Sequence, residues 1–191
     1  MYKHDLRIFL LLAVVALLQA CAAAVVGGAT GVSVATDKRT TGTVIEDQSI
    51  ELKALRAFSD NKEISDKAHL NVTSYNTIVL VTGEAPDEAL RQQAIDLVSS
   101  IPKVSHVHNE ITIAAPSSSM SRSSDSLITA KVKTQLIAEK NVSSLSIKVV
   151  TDKGVVYLMG MVSRREAEIA TEIARQTSGV QKVVMLFEYT D

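Results

Sequence analysis

The chain has no tryptophan, three phenylalanines and four tyrosines in 191 residues, so aromatic rings contribute little to its interior. Its cores must be built from Val, Ile, Leu and Ala. A single cysteine, Cys21, excludes any intramolecular disulfide, even in an oxidising compartment. The longest uninterrupted apolar run, Ile8–Leu18, has eleven residues. A membrane-spanning helix takes about twenty. Charge of neither sign dominates, with a net of -1 at pH 7, which argues against a nucleic-acid-binding face. That balance conceals an asymmetry. Residues 46–115 carry 6 Lys/Arg against 11 Asp/Glu, whereas residues 116–191 carry 10 against 8. An anionic partner is therefore expected to meet the second half.

What is present at the N-terminus reads as an address. Lys3 and Arg7 precede the eleven-residue apolar run, and Gln19-Ala20-Cys21 follows it. This is the layout of a secretory signal peptide. Leu18-Gln19-Ala20-Cys21 resembles a bacterial lipobox, which implies cleavage before Cys21 and its acylation with palmitate-type chains. At about 0.8 kcal/mol per buried methylene, such chains make a stable anchor. Ala22 follows instead of the Asp that retains lipoproteins in the inner membrane, so the resemblance implies the outer membrane, facing the periplasm. Residues 1–20 are thus expected to be a signal peptide. Residues 21–45, rich in Ala, Val, Gly and Thr, are expected to be a lipidated flexible tether.

The rest of the chain is one pattern written twice. Asn71–Gly83 aligns with Lys148–Gly160 at a constant offset of 77 residues, and after one gap Val104/Val107 pair with Val180/Val183. Each copy reads helix, strand, tight turn, strand, helix, strand. Turns at Tyr75-Asn76 and Asp152-Lys153-Gly154 predict hairpins. Pro86-Asp87-Glu88 and Ser163–Glu166 predict helix starts, the second a capping box. Gly83, Gly160 and Gly179 are read as structural turn glycines. The spacing predicts domains at 46–115 and 124–191, joined by a Ser-rich linker at 116–123.

The strands ending in Gly83 and Gly160, the helices after them and the Val-x-x-Val strands resemble the BON domain of bacterial envelope proteins. Lys103 departs from the pattern, standing where the family usually has Gly; the second copy keeps Gly179. Two such domains behind a lipobox resemble dual-BON outer-membrane lipoproteins. The expected fold is α+β: two tandem domains, each a three-stranded mixed sheet with two helices packed on one face.

Catalytic chemistry finds no foothold, and no cofactor is expected. There is no Gly-x-Ser-x-Gly elbow, and Asp87, Glu88, Glu166 and Glu168 fall at helix N-termini, where they complement the helix dipole. His106-x-His108 places two imidazoles on one face of a strand with Glu110 following, too few ligands for a metal centre without further partners. No metal site is assigned.

The segment Asp125–Ala138 carries the binding signal. Ile128, Val132 and Leu136 form one apolar stripe at 100° per residue, to be capped by Ser124 or Asp125. Leu127, Ala130, Thr134 and Ile137 form a second stripe on the other side, edged by Lys131 and Lys133. One buried face suffices in a two-layer domain, so the second suits an anionic membrane surface. The corresponding helix of the first copy, Ile50–Phe58, is expected to put Ile50, Ala54 and Ala57 on its second side among acidic neighbours, making it a poor membrane binder. The resemblance agrees. It implies contact of this helix of the second domain with phosphatidylglycerol-like phospholipid, an aromatic residue at the position of Leu127, and a role in envelope integrity at division sites. The alternative is a protein-interaction adaptor whose acidic first domain docks the outer-membrane protein assembly machinery. Oligomeric state is not readable.

Overall fold

The computed structural model describes residues 37–191, which lie within one compact unit. The signal peptide, Cys21 and the tether up to residue 36 fall outside the described residues. In the first domain, α1 (Thr41–Asp60) and a short α2 (Lys62–Lys67) precede the hairpin β1 (His69–Tyr75) and β2 (Ile78–Ala85). A crossover through α3 (Glu88–Ser99) then leads to β3 (His106–Ile113). The second domain repeats the order with α4 (Ser119–Ala138), β4 (Ile147–Asp152), β5 (Val155–Val162), α5 (Arg164–Gln176) and β6 (Lys182–Tyr189). In each sheet the middle strand pairs antiparallel with its hairpin partner and parallel with the last strand. The α+β architecture with two mixed three-stranded sheets is as expected. The first domain has a third, short helix beyond the two anticipated, because Asn61 accepts from the Glu63 and Ile64 amides and restarts the helix.

Three expectations about boundaries and turns are corrected. Helix α1 begins at Thr41 inside the expected tether, where the Thr40 hydroxyl accepts from the Thr43 amide at 3.1 Å. Helix α4 begins at Ser119 inside the expected linker, capped by Ser118 and not by Ser124 or Asp125. Serine and threonine side chains that break helices in mid-run serve as their caps, which composition alone does not distinguish. Gly83 and Gly160 are not turn residues; they lie inside β2 and β5. A Cβ at Gly83 would stand 1.9 Å from the His69 carbonyl oxygen, and one at Gly160 2.3 Å from that of Ser146. Close approach of the neighbouring strand, not chain reversal, requires glycine there. Gly179 does sit in a turn, at φ 100°.

Each domain has an aliphatic core between its sheet and its helices. Ile50, Ala54 and Phe58 of α1 and Ala94 and Val98 of α3 cover Val79 and Val81. Ile128, Val132 and Leu136 of α4 and Ala170 and Ala174 of α5 cover Val156 and Leu158. A third cluster joins the domains: Tyr75 and Leu80 of the first sheet meet Tyr157 and Met159 of the second through the faces turned away from the helices. The layers therefore run helices, sheet, sheet, helices. Because β2 and β5 are covered on both sides, they are near-continuous apolar runs and not alternating ones.

Polar bonds close the joint. Lys148 pairs with Glu51 at 2.6 Å and Lys153 with the fully buried Glu84 at 2.9 Å. The Tyr157 hydroxyl donates to Glu110 at 3.3 Å, that of Tyr75 to the Ser146 carbonyl at 3.0 Å, and the Asn76 amide to Glu188 at 2.9 Å. Burial alone would raise the Glu84 pKa; the Lys153 ammonium and the Ser117 backbone overcome it and hold the carboxyl below its ordinary value. Three acids of the first domain thus answer cations or a phenol of the second, and part of the charge asymmetry between the halves is consumed inside the molecule.

Candidate functional site

Helix α4 owes its orientation to two inward anchors. Its apolar stripe Ile128, Val132 and Leu136 is buried, and Asp125, one turn before it, is buried as well. The Asp125 carboxylate accepts from the Gly154 amide at 2.8 Å and the Lys153 amide at 3.0 Å, tying the helix to the β4–β5 turn. With that side fixed, the opposite side must face out. Leu127 is 64% and Ile137 71% exposed, with exposed Ala130 and Thr134 between them. Lys131 and Lys133 are exposed on the two flanks. The Thr134 hydroxyl donates to the Ala130 carbonyl at 2.8 Å, so its polar group is spent on the helix. All six residues singled out in the sequence are exposed, and Leu127 belongs to none of the three apolar clusters.

The longer helix adds Met120 to the stripe, 82% exposed and one heptad before Leu127. Sequence reasoning missed it because the helix was begun at Asp125. The signal was present in the Ser118 cap and in the seven-residue spacing of Met120, Leu127 and Thr134.

The first-copy helix differs from expectation. Ile50 and Ala54, assigned to its outer side, are fully buried core residues. Its outer side instead carries Ile45, Leu52 and Leu55, 62%, 68% and 48% exposed. The error has a physical origin. Asp47 is buried and faces inward as the counterpart of Asp125, accepting from Ser74 Oγ at 2.7 Å and from the Asn76 and Thr77 amides at 2.8 Å. The segment read as this helix, Ile50–Phe58, begins three residues after Asp47, so the residue that fixes the inward side stood outside it. The same acid at the same place in both copies was the missed clue.

His106 and His108 lie with ring centroids 4.5 Å apart, edge to face. Burial, then the neighbouring His106 charge, hold His108 below the usual histidine pKa. Among the described residues, no group of three or more His, Cys, Asp or Glu is placed to hold a metal ion. The acids at helix starts are engaged structurally. Asp87 caps α3 through the Leu90 amide at 2.9 Å. Glu166 completes a capping box with Ser163 and binds Lys38 at 2.8 Å. Burial opposes ionisation of Glu166, but Lys38 and the Ser163 and Ser143 donors outweigh it and lower its pKa to about 2.

Comparison with known proteins bears on this arrangement. The BON domain model matches residues 46–115 and 124–191. The chain is 37% identical to the outer membrane lipoprotein DolP of Haemophilus influenzae, over 97% of this chain and 96% of that one. It is 33% identical to a 21 kDa hemolysin of Actinobacillus pleuropneumoniae, over 80% and 79% of the two chains. To the osmotically-inducible protein Y of Escherichia coli it is 27% identical, over 74% and 72%. The chain belongs to the BON-domain family, with two copies of the domain, and is placed by its DolP relative among outer-membrane lipoproteins.

Proposed function

We propose that this BON-family lipoprotein is a non-enzymatic binding module that holds anionic phospholipid, of phosphatidylglycerol type, through α4 of its second domain. The observation that carries this reading is the outward stripe Met120, Leu127 and Ile137 with Lys131 and Lys133 on its flanks. The apolar side chains enter the acyl boundary, while the two ammonium groups remain at headgroup level. Each basic residue near an anionic surface contributes about 1 kcal/mol, so the contact by itself is weak and reversible. A lipid anchor at Cys21 supplies the proximity that makes weak contacts count. Held this way, the protein supports outer-membrane integrity, and its family resemblance directs it to division sites.

The test is flotation of residues 35–191 with vesicles of phosphatidylglycerol and phosphatidylcholine. Leu127→Glu combined with Lys131→Ala and Lys133→Ala is expected to weaken binding about thirtyfold or more. Undiminished binding would remove the reading. A second reading, an adaptor for the outer-membrane protein assembly machinery, is favoured by one observation: Glu63, Asp66, Asp87 and Glu88 are all exposed on the first domain. Wild-type protein that ignores anionic vesicles would leave that reading standing.

A further inference from the structure

The exposed stripes of α1 and α4 lie on opposite sides of the molecule. Each helix turns its core residues toward its own sheet, and the two sheets are back to back. At 100° per residue, Ile45 and Leu52 stand opposite Ile50, Ala54 and Phe58, just as Leu127 and Thr134 stand opposite Ile128, Val132 and Leu136. The exposures on the two helices are alike: Leu52 matches Leu127, and Ile45 lies close behind. The acids that made α1 look repellent to lipid are turned away. Asp47 is occupied by the hairpin turn and by Arg39 at 2.8 Å; Glu51 accepts from the Ser74 amide at 2.8 Å and from Lys148. Exposed Lys53 and Arg56 border the stripe, with Glu46 half-buried and Asp60 at the helix end.

We propose that the sandwich is bivalent for lipid surfaces, with α1 a second bilayer-seating helix facing away from α4. This rests on the lipid reading of α4. A bilayer is the occupant favoured for two reasons. Lys53 and Arg56 suit anionic headgroups, and Thr41 follows the expected lipid anchor Cys21 by only twenty residues. A chain of that length reaches at most about 70 Å, so an anchored chain keeps α1 close to the membrane. One flat bilayer takes only one face at a time. Bivalency therefore appears as bridging of two lipid surfaces. With fewer net positive charges beside it, α1 depends less on anionic lipid than α4 does.

Residues 35–191 contain all three apolar clusters and serve as the test protein. Wild type is expected to aggregate phosphatidylglycerol-containing vesicles, followed by turbidity. Leu52→Glu and Leu127→Glu should each abolish aggregation while leaving severalfold weakened binding in flotation, and the double variant should remove both. Because the chain lacks tryptophan, Leu52→Trp and Leu127→Trp report each helix separately. Both should shift to the blue and be quenched by brominated acyl chains. A response at Leu127→Trp with none at Leu52→Trp overturns bivalency and spares the α4 reading; silence at both removes both. Aggregation that survives Leu52→Glu overturns it too. So does lipid-free dimerisation that Leu52→Glu abolishes, which would assign the face to a second copy.

Discussion

The two domains follow one plan but fill its left-handed backbone positions differently. In the second, the hairpin turn is Lys153-Gly154 at φ 49° and 73°, and the turn before the last strand uses Gly179 at φ 100°. In the first, Asn76-Thr77 occupy φ 50° and 67°, and Lys103 occupies φ 76°. A side chain in that region costs about 1–2 kcal/mol, and a β-branched one is the least suited. The first domain offsets this with a stronger clamp. Asp47 accepts from two turn amides and the Ser74 hydroxyl and pairs with Arg39, whose guanidinium also stacks 3.9 Å over the Tyr75 ring. Among the described residues, Asp125 accepts only from two turn amides. The two copies share the shape of the turn and the aspartate beneath it, while the residues in the turn differ.

The largest expected effect breaks the comparison where the domains are most alike. Gly83→Ala and Gly160→Ala each force a methyl into a carbonyl oxygen, and each should destabilise by about 3 kcal/mol or more in chemical denaturation. Gly83→Ala should be the worse, since its φ of 118° adds backbone strain and its clash is the shorter. Next come the two aspartates. Asp47→Ala strips three hydrogen bonds and leaves Arg39 without one of its carboxylates, with an expected loss of about 3 kcal/mol. Asp125→Ala strips two bonds and should cost about 1–2 kcal/mol by the same measurement.

Acid should separate the domains further. Glu166, with a pKa of about 2, has a folded value below the ordinary one of 4.5. Its contribution is therefore present above about pH 5 and lost as pH falls toward 2. The first domain has Leu90 at the corresponding N3 position of α3, so this sensitivity belongs to the second. Thermal melts of wild type and Glu166→Gln should differ at neutral pH, with wild type higher, and converge near pH 2. A constant gap would show that Glu166 acts by packing. The smallest effect restores the comparison. Lys103→Gly should stabilise the first domain by about 0.5–1 kcal/mol, because relief of left-handed strain exceeds the entropy of the added glycine. No gain would mean that Lys103 is held by contacts that compensate.

The sequence was legible wherever a signal is local or repeated. The paired hairpins, the Ser163–Glu166 capping box and the six outward residues of α4 were all readable, because period and cap chemistry act within one or two turns of chain. Helix starts at Thr41 and Ser119 were not, since short polar residues serve equally as linker and as cap. The outward face of α1 was misread because Asp47, whose Ser74 and turn partners lie 27–30 residues away, stands before the Ile50–Phe58 segment read as the helix. Met120 was lost with the start of its helix.

By itself, then, the sequence determined two copies of one α+β domain, the lipobox-like address at Cys21 and the second apolar stripe on α4. These are properties of periodicity, spacing and composition, which a chain carries before it folds. Only the tertiary structure decided that the sheets pack back to back, that Glu51, Glu84 and Glu110 are turned into that joint, and that α1 and α4 face opposite ways. Those outcomes depend on which residues from distant segments meet, and on the Lys153 ammonium offsetting the burial of a charge such as that of Glu84.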